Sequence, residues 1–284
     1  MNADPPESVV IVGASAAGLS VAEGLRRAGY TGRVTVIGEE QHQPYDRPPL
    51  SKQLLAEGWD TERVFLRTPE DIAGLDLDLR LGRRAVGLDI RDRRVALSGG
   101  EEVGYDALVV ATGVAARRLR GTEGVAGVHS LRTLEDALAF RDALRMQPRL
   151  VIVGSGFVGA EAAAVARTLG AEVTMVTDAA APLADALGSE LGTMLTEVHR
   201  DHGVRIETDA LVDSVPTESG RATGVRLVDG RTIDADCVLV GIGAVPNTDW
   251  LTGSGVPVPR VTRGYRRHVT ERTPIESLLT VGIS

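Results

Sequence analysis

Two glycine-rich strings carry the strongest chemical signal in the sequence, Gly13-Ala-Ser-Ala-Ala-Gly18 and Gly154-Ser-Gly-Phe-Val-Gly159. A Gly-x-Gly-x-x-Gly turn brings backbone N–H groups and the positive end of a helix up to a pyrophosphate. The second string matches that pattern in full. The first has Ser15 at the middle position, a side chain small enough to leave the approach open. An acid about 20 residues beyond such a turn binds a ribose 2′-hydroxyl. Glu39 holds that place after the first string; after the second it falls on Thr177, with Asp178 beside it. A 2′-phosphate would call for a nearby arginine, and Asp178 to His199 contains neither Lys nor Arg, so an unphosphorylated ribose is favoured.

The surrounding sequence supplies the elements that would position these turns. Val9-Val-Ile-Val12 precedes the first string, an Ala-rich segment to about Gly29 follows it, and Val34-Thr-Val-Ile37 comes next. Leu150-Val-Ile-Val153, a segment to Leu169 and Val173-Thr-Met-Val176 repeat the same grammar. Apolar runs without polar alternation are strands buried on both faces, as in parallel sheets, and Gly29 and Gly170 sit where helix C-cap glycines belong. The sequence therefore predicts a duplicated βαβ unit. Between the copies lie a Pro-rich loop (Gln43 to Pro49), a short helix over Leu50 to Glu57 and a helix starting near Thr68. A hairpin from Ala85 to Leu97 turning at Arg91-Asp92-Arg93, and a strand Ala107 to Val110, come next. A linker, Arg117 to Gly124, leads to a helix beginning at Thr133, where Asp136 completes a capping box. A helix over Ser189 to Asp201 and a strand ending at Val240 follow the second unit.

Composition excludes several classes. The 284 residues carry a net charge of −8, which disfavours a phosphate-backbone partner. The longest apolar runs are strand-sized, short of the ~20 residues of a membrane helix. The polar start, Met1 to Ser8, resembles no signal peptide, so the expected location is the cytoplasm. Cys237 is the single cysteine, leaving no disulfide framework, no Cys-x-x-Cys redox pair and no cysteine metal site. His199 and His202 alone do not make a metal cluster, and no metal is expected. Lys52 is the only lysine among 31 basic residues.

Val9 to Leu19, Gln43-Pro-Tyr-Asp-Arg-Pro-Pro-Leu-Ser-Lys52, Ala111-Thr-Gly113, Ser130-Leu-Arg-Thr133, Gly154 to Glu161 and Gly241 to Asn247 occur in this order. Together they resemble the FAD-dependent pyridine nucleotide-disulfide oxidoreductase superfamily, and within it the ferredoxin, putidaredoxin and rhodocoxin reductase branch. The resemblance runs over about residues 8 to 255, and Arg-Pro-Pro-Leu-Ser-Lys is its most specific part. It implies an α/β fold with two Rossmann-like dinucleotide-binding domains, the second inserted in the first. The FAD domain would comprise residues 1–116 plus 245–284, and the NAD domain residues 117–244.

The resemblance also implies roles by position. Gly13, Ser15, Ala16, Ala17 and Gly18 would hold the FAD pyrophosphate, Glu39 its ribose, and Ala85 its adenine through the backbone. Arg47, Ala111, Thr112, Gly113 and Arg132 are further cofactor positions. Gly154, Gly156, Phe157, Val158 and Gly159 would bind NADH, in preference to NADPH, with Asp178 as the second acid and Gly241, Ile242 and Gly243 closing the pocket. Lys52 would lie by the flavin and pair with Glu161, which faces the nicotinamide; the two are the catalytic candidates. The implied activity is hydride transfer from NADH to FAD, then single electrons to a ferredoxin-type [2Fe-2S] protein. Relatives that work through thiols carry cysteine in the stretch that here reads Arg-Pro-Pro-Leu-Ser-Lys, so no thiol relay is expected. The pattern breaks at the end. The family's late Gly-Asp is met by Gly282-Ile283, and the C-terminal interface domain is expected to be missing. The alternatives are a truncated, catalytically impaired FAD/NAD-binding fragment or a nucleotide-sensing module.

Overall fold

The computed structural model describes residues 5–56 and 58–258, and the backbone of 278–280. The Ile283 position discussed above lies outside them, as do residues 259–277. The chain forms two compact units. Unit 1 takes in the described parts of Met1–Asp46, Phe65–Val114 and Pro246–Ser284, and unit 2 takes in Arg47–Val64 and Ala115–Val245.

Unit 1 begins with β1 (Ser8–Val12), α1 (Ala16–Arg27) and β2 (Arg33–Ile37). After α2 (Pro69–Gly74) come β3 (Asp78–Arg80), the antiparallel set β4 (Ala85–Asp89), β5 (Arg94–Leu97) and β6 (Glu102–Gly104), and β7 (Ala107–Val110). Its parallel sheet has the order β20-β7-β1-β2-β3, with β20 (Leu278–Thr280) pairing β7. Successive side chains of a strand point to opposite faces, so the unbroken apolar runs serve two cores. Val9 and Ile11 pack with Ala22 of α1 and with Val34 and Val36. Val10 and Val12 pack on the other face with Ala85, Val95, Leu97 and Trp250.

The chain leaves unit 1 near β8 (Val114–Ala116). Unit 2 contains β9 (Val128–His129), α3 (Leu134–Leu144), β10 (Arg149–Val153), α4 (Phe157–Thr168) and β11 (Glu172–Val176). The one-turn α5 (Ala184–Leu187), α6 (Ser189–Asp201) and β12 (Arg205–Glu207) follow. Short strands β13 to β17 occupy Val212 to Asp234, ahead of β18 (Cys237–Val240), and the chain returns near β19 (Ala244–Pro246). The parallel order is β12-β11-β10-β18-β9. The registers of the two units correspond: Val12 lies opposite Ile37 as Val153 lies opposite Val176. The capping box at α3 is formed, Asp136 N donating to Thr133 Oγ1 (3.1 Å) and Thr133 N to Asp136 Oδ2 (3.2 Å).

Two details depart from the sequence reading. Arg47–Val64, assigned there to residues 1–116, packs in unit 2. The reason is local. Arg47 Nη1 donates to Arg132 O (2.6 Å) ahead of α3, Ser51 and Lys52 bond to Glu161 of α4, and Leu54 and Leu55 are buried. In place of the helix expected over Leu50 to Glu57 there is a 3₁₀ turn, Pro48–Ser51, followed by turns over 52–56, and Glu57 lies outside the described residues. Leu50 N donates to Arg47 O and Lys52 N to Pro49 O (3.0 and 3.1 Å), which is the i→i+3 geometry of a 3₁₀ turn.

Candidate functional site

Each unit carries the same cradle, at the carboxyl end of β1 in unit 1 and of β10 in unit 2. Gly13 N donates to Ile37 O and Gly154 N to Val176 O, both at 2.8 Å. These bonds turn the chain sharply out of the sheet at positive φ, +124° and +102°. A Cβ on Gly13 would lie 2.1 Å from Ala111 O, and one on Gly154 2.3 Å from Gly241 O. Neither site admits a side chain. The closing glycines are as tight: a Cβ on Gly18 would meet Gly13 O at 1.9 Å, and one on Gly159 would meet Gly154 O at 2.4 Å. These contacts let the helix press against the turn.

The middle position is different. Ser15 and Gly156 are extended N-cap residues, and a Cβ on Gly156 would meet nothing within 4 Å. Ser15 is therefore accommodated at this position. Neither α1 nor α4 has an acid in its first turn or a side-chain cap. Their leading N–H groups and positive dipole ends are left for an anion. By donor set and clearance, both cradles fit the pyrophosphate of a dinucleotide.

In unit 1 a groove runs from the cradle past Glu39. It is lined by Gly13, Ile37, Glu39, Arg84, Ala85 and Thr112, together with Asn247, Asp249 and Trp250. Arg84 Nη1 stands 3.7 Å from Glu39 Oε1. Thr112 Oγ1 donates to Asn247 O (2.7 Å), Asn247 Nδ2 to Thr112 O (2.9 Å) and Asn247 N to Gly113 O (3.0 Å). This reciprocal clasp fixes the Ala111-Thr112-Gly113 wall. Asn247, Asp249 and Trp250 were not singled out as lining residues, although Pro246-Asn247 was the available signal.

In unit 2 the residue given the acid's place by spacing, Thr177, is by register the counterpart of Gly38, since Gly38 N donates to Arg80 O as Thr177 N does to Glu207 O, and Asp178 is the counterpart of Glu39. Thr177 is buried, and its hydroxyl accepts from Ser155 Oγ (2.7 Å) and Ala179 N (3.2 Å). It ties the glycine turn to the loop after β11 and presents nothing outward. Asp178, beside it, is exposed. Phe157 and Val158 open α4 with exposed side chains. Gly241 N donates to Val153 O (2.7 Å), and Gly243 has φ +99°. Arg132 N and Thr133 N share Asp136 Oδ2 (2.9 and 3.2 Å).

The catalytic candidates meet. Lys52 Nζ lies 2.7 Å from Glu161 Oε2, and both side chains are partly exposed. Ser51 Oγ donates to the same oxygen at 2.5 Å. Pro48 O takes a further bond from Lys52 Nζ (3.3 Å). Ser51 was not singled out by the sequence reading; it is a buried hydroxyl beside the lysine. The single cysteine, Cys237, is buried in β18, and burial pushes its thiol up to about 12, so it stays protonated at physiological pH. Among the described residues no cluster of three His, Cys, Asp or Glu side chains is set to hold a metal. No described helix is long and apolar enough to cross a membrane.

A parallel sheet with a cradle that fits a dinucleotide, present twice in one chain, defines a class of protein built to hold two dinucleotides. The chain belongs to the pyridine nucleotide-disulphide oxidoreductase family, whose model matches residues 7–272. It is 37% identical to rhodocoxin reductase of Rhodococcus erythropolis over 277 residues, 97% of this chain and 64% of that protein. It is 36% identical to putidaredoxin reductase of Pseudomonas putida, covering 91% of this chain and 62% of that protein. Among solved structures, the reductase in the covalent putidaredoxin reductase–putidaredoxin complex superposes with a TM-score of 0.90 at 34% identity, covering 99% of this chain and 68% of that one. The chain thus spans somewhat under two thirds of the length of these two relatives.

Proposed function

We propose that the protein is a cytoplasmic flavoprotein oxidoreductase that takes a hydride from NADH on FAD and delivers single electrons to a ferredoxin-type [2Fe-2S] protein. The observation that carries this reading is the duplicated cradle, one copy beside Glu39 and Ala85 in unit 1 and one beside Asp178 in unit 2. FAD, when bound, supplies the chemistry that accepts two electrons and releases them singly. The chain's own residues do the rest. Gly13 to Gly18 bind the FAD pyrophosphate through backbone N–H groups, and Glu39 accepts from the ribose. Gly154 to Gly159 hold the NADH pyrophosphate, and Gly241 to Gly243 wall that site. Lys52 supplies a compact positive charge held by Glu161 and Pro48 O, suited to stabilising negative charge developing on a ring.

Electrons leave without a thiol. Cys237 is buried and protonated, and the segment around Lys52, where thiol-dependent relatives carry cysteine, contains none. NADH is preferred to NADPH because the outward group after β11 is the Asp178 carboxylate, which repels a 2′-phosphate. Rhodocoxin reductase and putidaredoxin reductase are by name reductases of partner proteins, which supports an iron–sulfur acceptor. Two variants test the assignment of units. Glu39→Ala should weaken FAD binding by roughly tenfold and leave NADH binding unchanged, and Asp178→Ala should do the reverse. Both variants weakening the same ligand would overturn the assignment.

A further inference from the structure

We infer that Ser51 is a positioning residue that fixes which oxygen of Glu161 pairs with Lys52 and thereby keeps the other oxygen free to read the amide N–H of a nicotinamide. The inference rests on the proposed dinucleotide site of unit 2. Three groups meet at one carboxylate. Lys52 Nζ and Ser51 Oγ both donate to Oε2, at 2.7 and 2.5 Å, and among the described residues Oε1 takes no hydrogen bond. The Ser51 proton has two acceptors in reach, Glu161 Oε2 at 2.5 Å and Pro48 O at 3.4 Å, and the shorter bond takes it. Ser51 itself is buried at the end of a 3₁₀ turn, so its hydroxyl is held by the backbone.

A carboxylate facing an ammonium alone can rotate until both oxygens share the cation, because an ammonium is a point charge without a preferred plane. A second donor of fixed direction on Oε2 removes that freedom. Oε1 is then a charged acceptor in a set orientation on the second turn of α4, four residues beyond Phe157, where the helix opens. With a dinucleotide pyrophosphate on the N-terminus of that helix, the complementary donor is the carboxamide NH₂ at the far end of the ligand. No ketone or acid at that ring position offers such a proton.

The test compares NAD⁺ with its 3-acetylpyridine analogue, in which a methyl group replaces the amide NH₂. Dissociation constants are measured on the full chain for wild type, Ser51→Ala and Ser51→Thr, with ADP-ribose as a ligand lacking the ring. Wild type should favour NAD⁺ over the analogue by roughly tenfold or more, the worth of a hydrogen bond to a charged acceptor. Ser51→Ala should bring that ratio close to one while leaving ADP-ribose binding unchanged, and Ser51→Thr should restore it. A purely structural serine would change all three ligands together. An unchanged ratio in Ser51→Ala, or a wild type indifferent to the amide, overturns the inference while the dinucleotide site stands. Failure of wild type to bind ADP-ribose removes the site and the inference together.

Discussion

At the scale of the residue, the account turns on one ion pair. Lys52 and Glu161 are half-exposed, and such pairs contribute little to stability, typically 0.2–1 kcal/mol. A lysine kept in a chain that otherwise uses arginine is therefore better explained by chemistry than by folding. Lys52→Met should slow flavin reduction by NADH roughly 10- to 100-fold, as expected when a preorganised charge is removed. Its effect on NADH affinity should stay within about threefold, less than the loss of one hydrogen bond. Stopped-flow reduction and equilibrium titration separate the two, and an unaltered reduction rate would leave Lys52 without a role. The pair was legible in the sequence only through the resemblance, since nothing in composition or spacing joins two such distant positions. Ser51 was not legible at all. A serine in a Pro-rich turn looks like turn chemistry, and only the fold brings its hydroxyl to Glu161. Thr177 shows a slip of one residue: the spacing put it at the place of the acid, whereas the register makes it the counterpart of Gly38 and gives Glu39's place to Asp178.

At the scale of the element, the glycines of the cradle divide into two kinds that one motif conceals. Gly154 combines a positive φ with a backbone oxygen 2.3 Å from any added Cβ, whereas Gly156 is extended and open. Gly154→Ala should destabilise the protein by about 3 kcal/mol, combining steric conflict with backbone strain. Gly156→Ser, which copies Ser15, should stay within about 0.5 kcal/mol. Denaturant unfolding of both variants checks the contrast, and equal losses would mean that the two positions are not distinct.

A second element-scale device ties β10 to β18. Arg149 Nε and Nη2 and its backbone N–H all donate to the Asp236 carboxylate (3.0, 2.6 and 3.1 Å). The Arg149 guanidinium holds Asp236 at about 2, below its ordinary 3.8. A depressed folded-state value means that the stabilisation is complete above the unfolded value and is lost as pH falls through the folded one. Because both side chains are about half exposed, solvent screening limits the contribution to about 1 kcal/mol. Asp236→Asn should thus cost about that much at neutral pH, and the gap to wild type should close as pH falls from 3.8 toward 2. A gap that persists unchanged at acid pH would assign the loss to packing rather than charge.

At the scale of the molecule, the parallel sheets and their duplication followed from unbroken β-branched runs, glycine turns and C-cap glycines, because those signals are local. The allegiance of Arg47–Val64 did not, because it goes with three side-chain contacts, one to Arg132 and two to Glu161 of α4, rather than with any pattern of its own. The same limit applied to Asn247, Asp249 and Trp250, which line the unit 1 groove although the rest of that groove comes from residues 12 to 112. Net charge and the absence of a reactive thiol narrow the chemistry before any site is considered. The duplicated cradles then offer one chain a fit for two dinucleotides.

The central claim is that this chain moves electrons from NADH to flavin, and one measurement addresses it directly. The purified chain, supplied with FAD and freed of excess, is mixed anaerobically with NADH while the visible flavin absorbance is followed. The expected result is a flavin spectrum that bleaches on addition of NADH and does so more slowly with NADPH. A chain that retains FAD and binds NADH, yet keeps its flavin oxidised, would contradict it and leave a nucleotide-binding protein without the reductase activity.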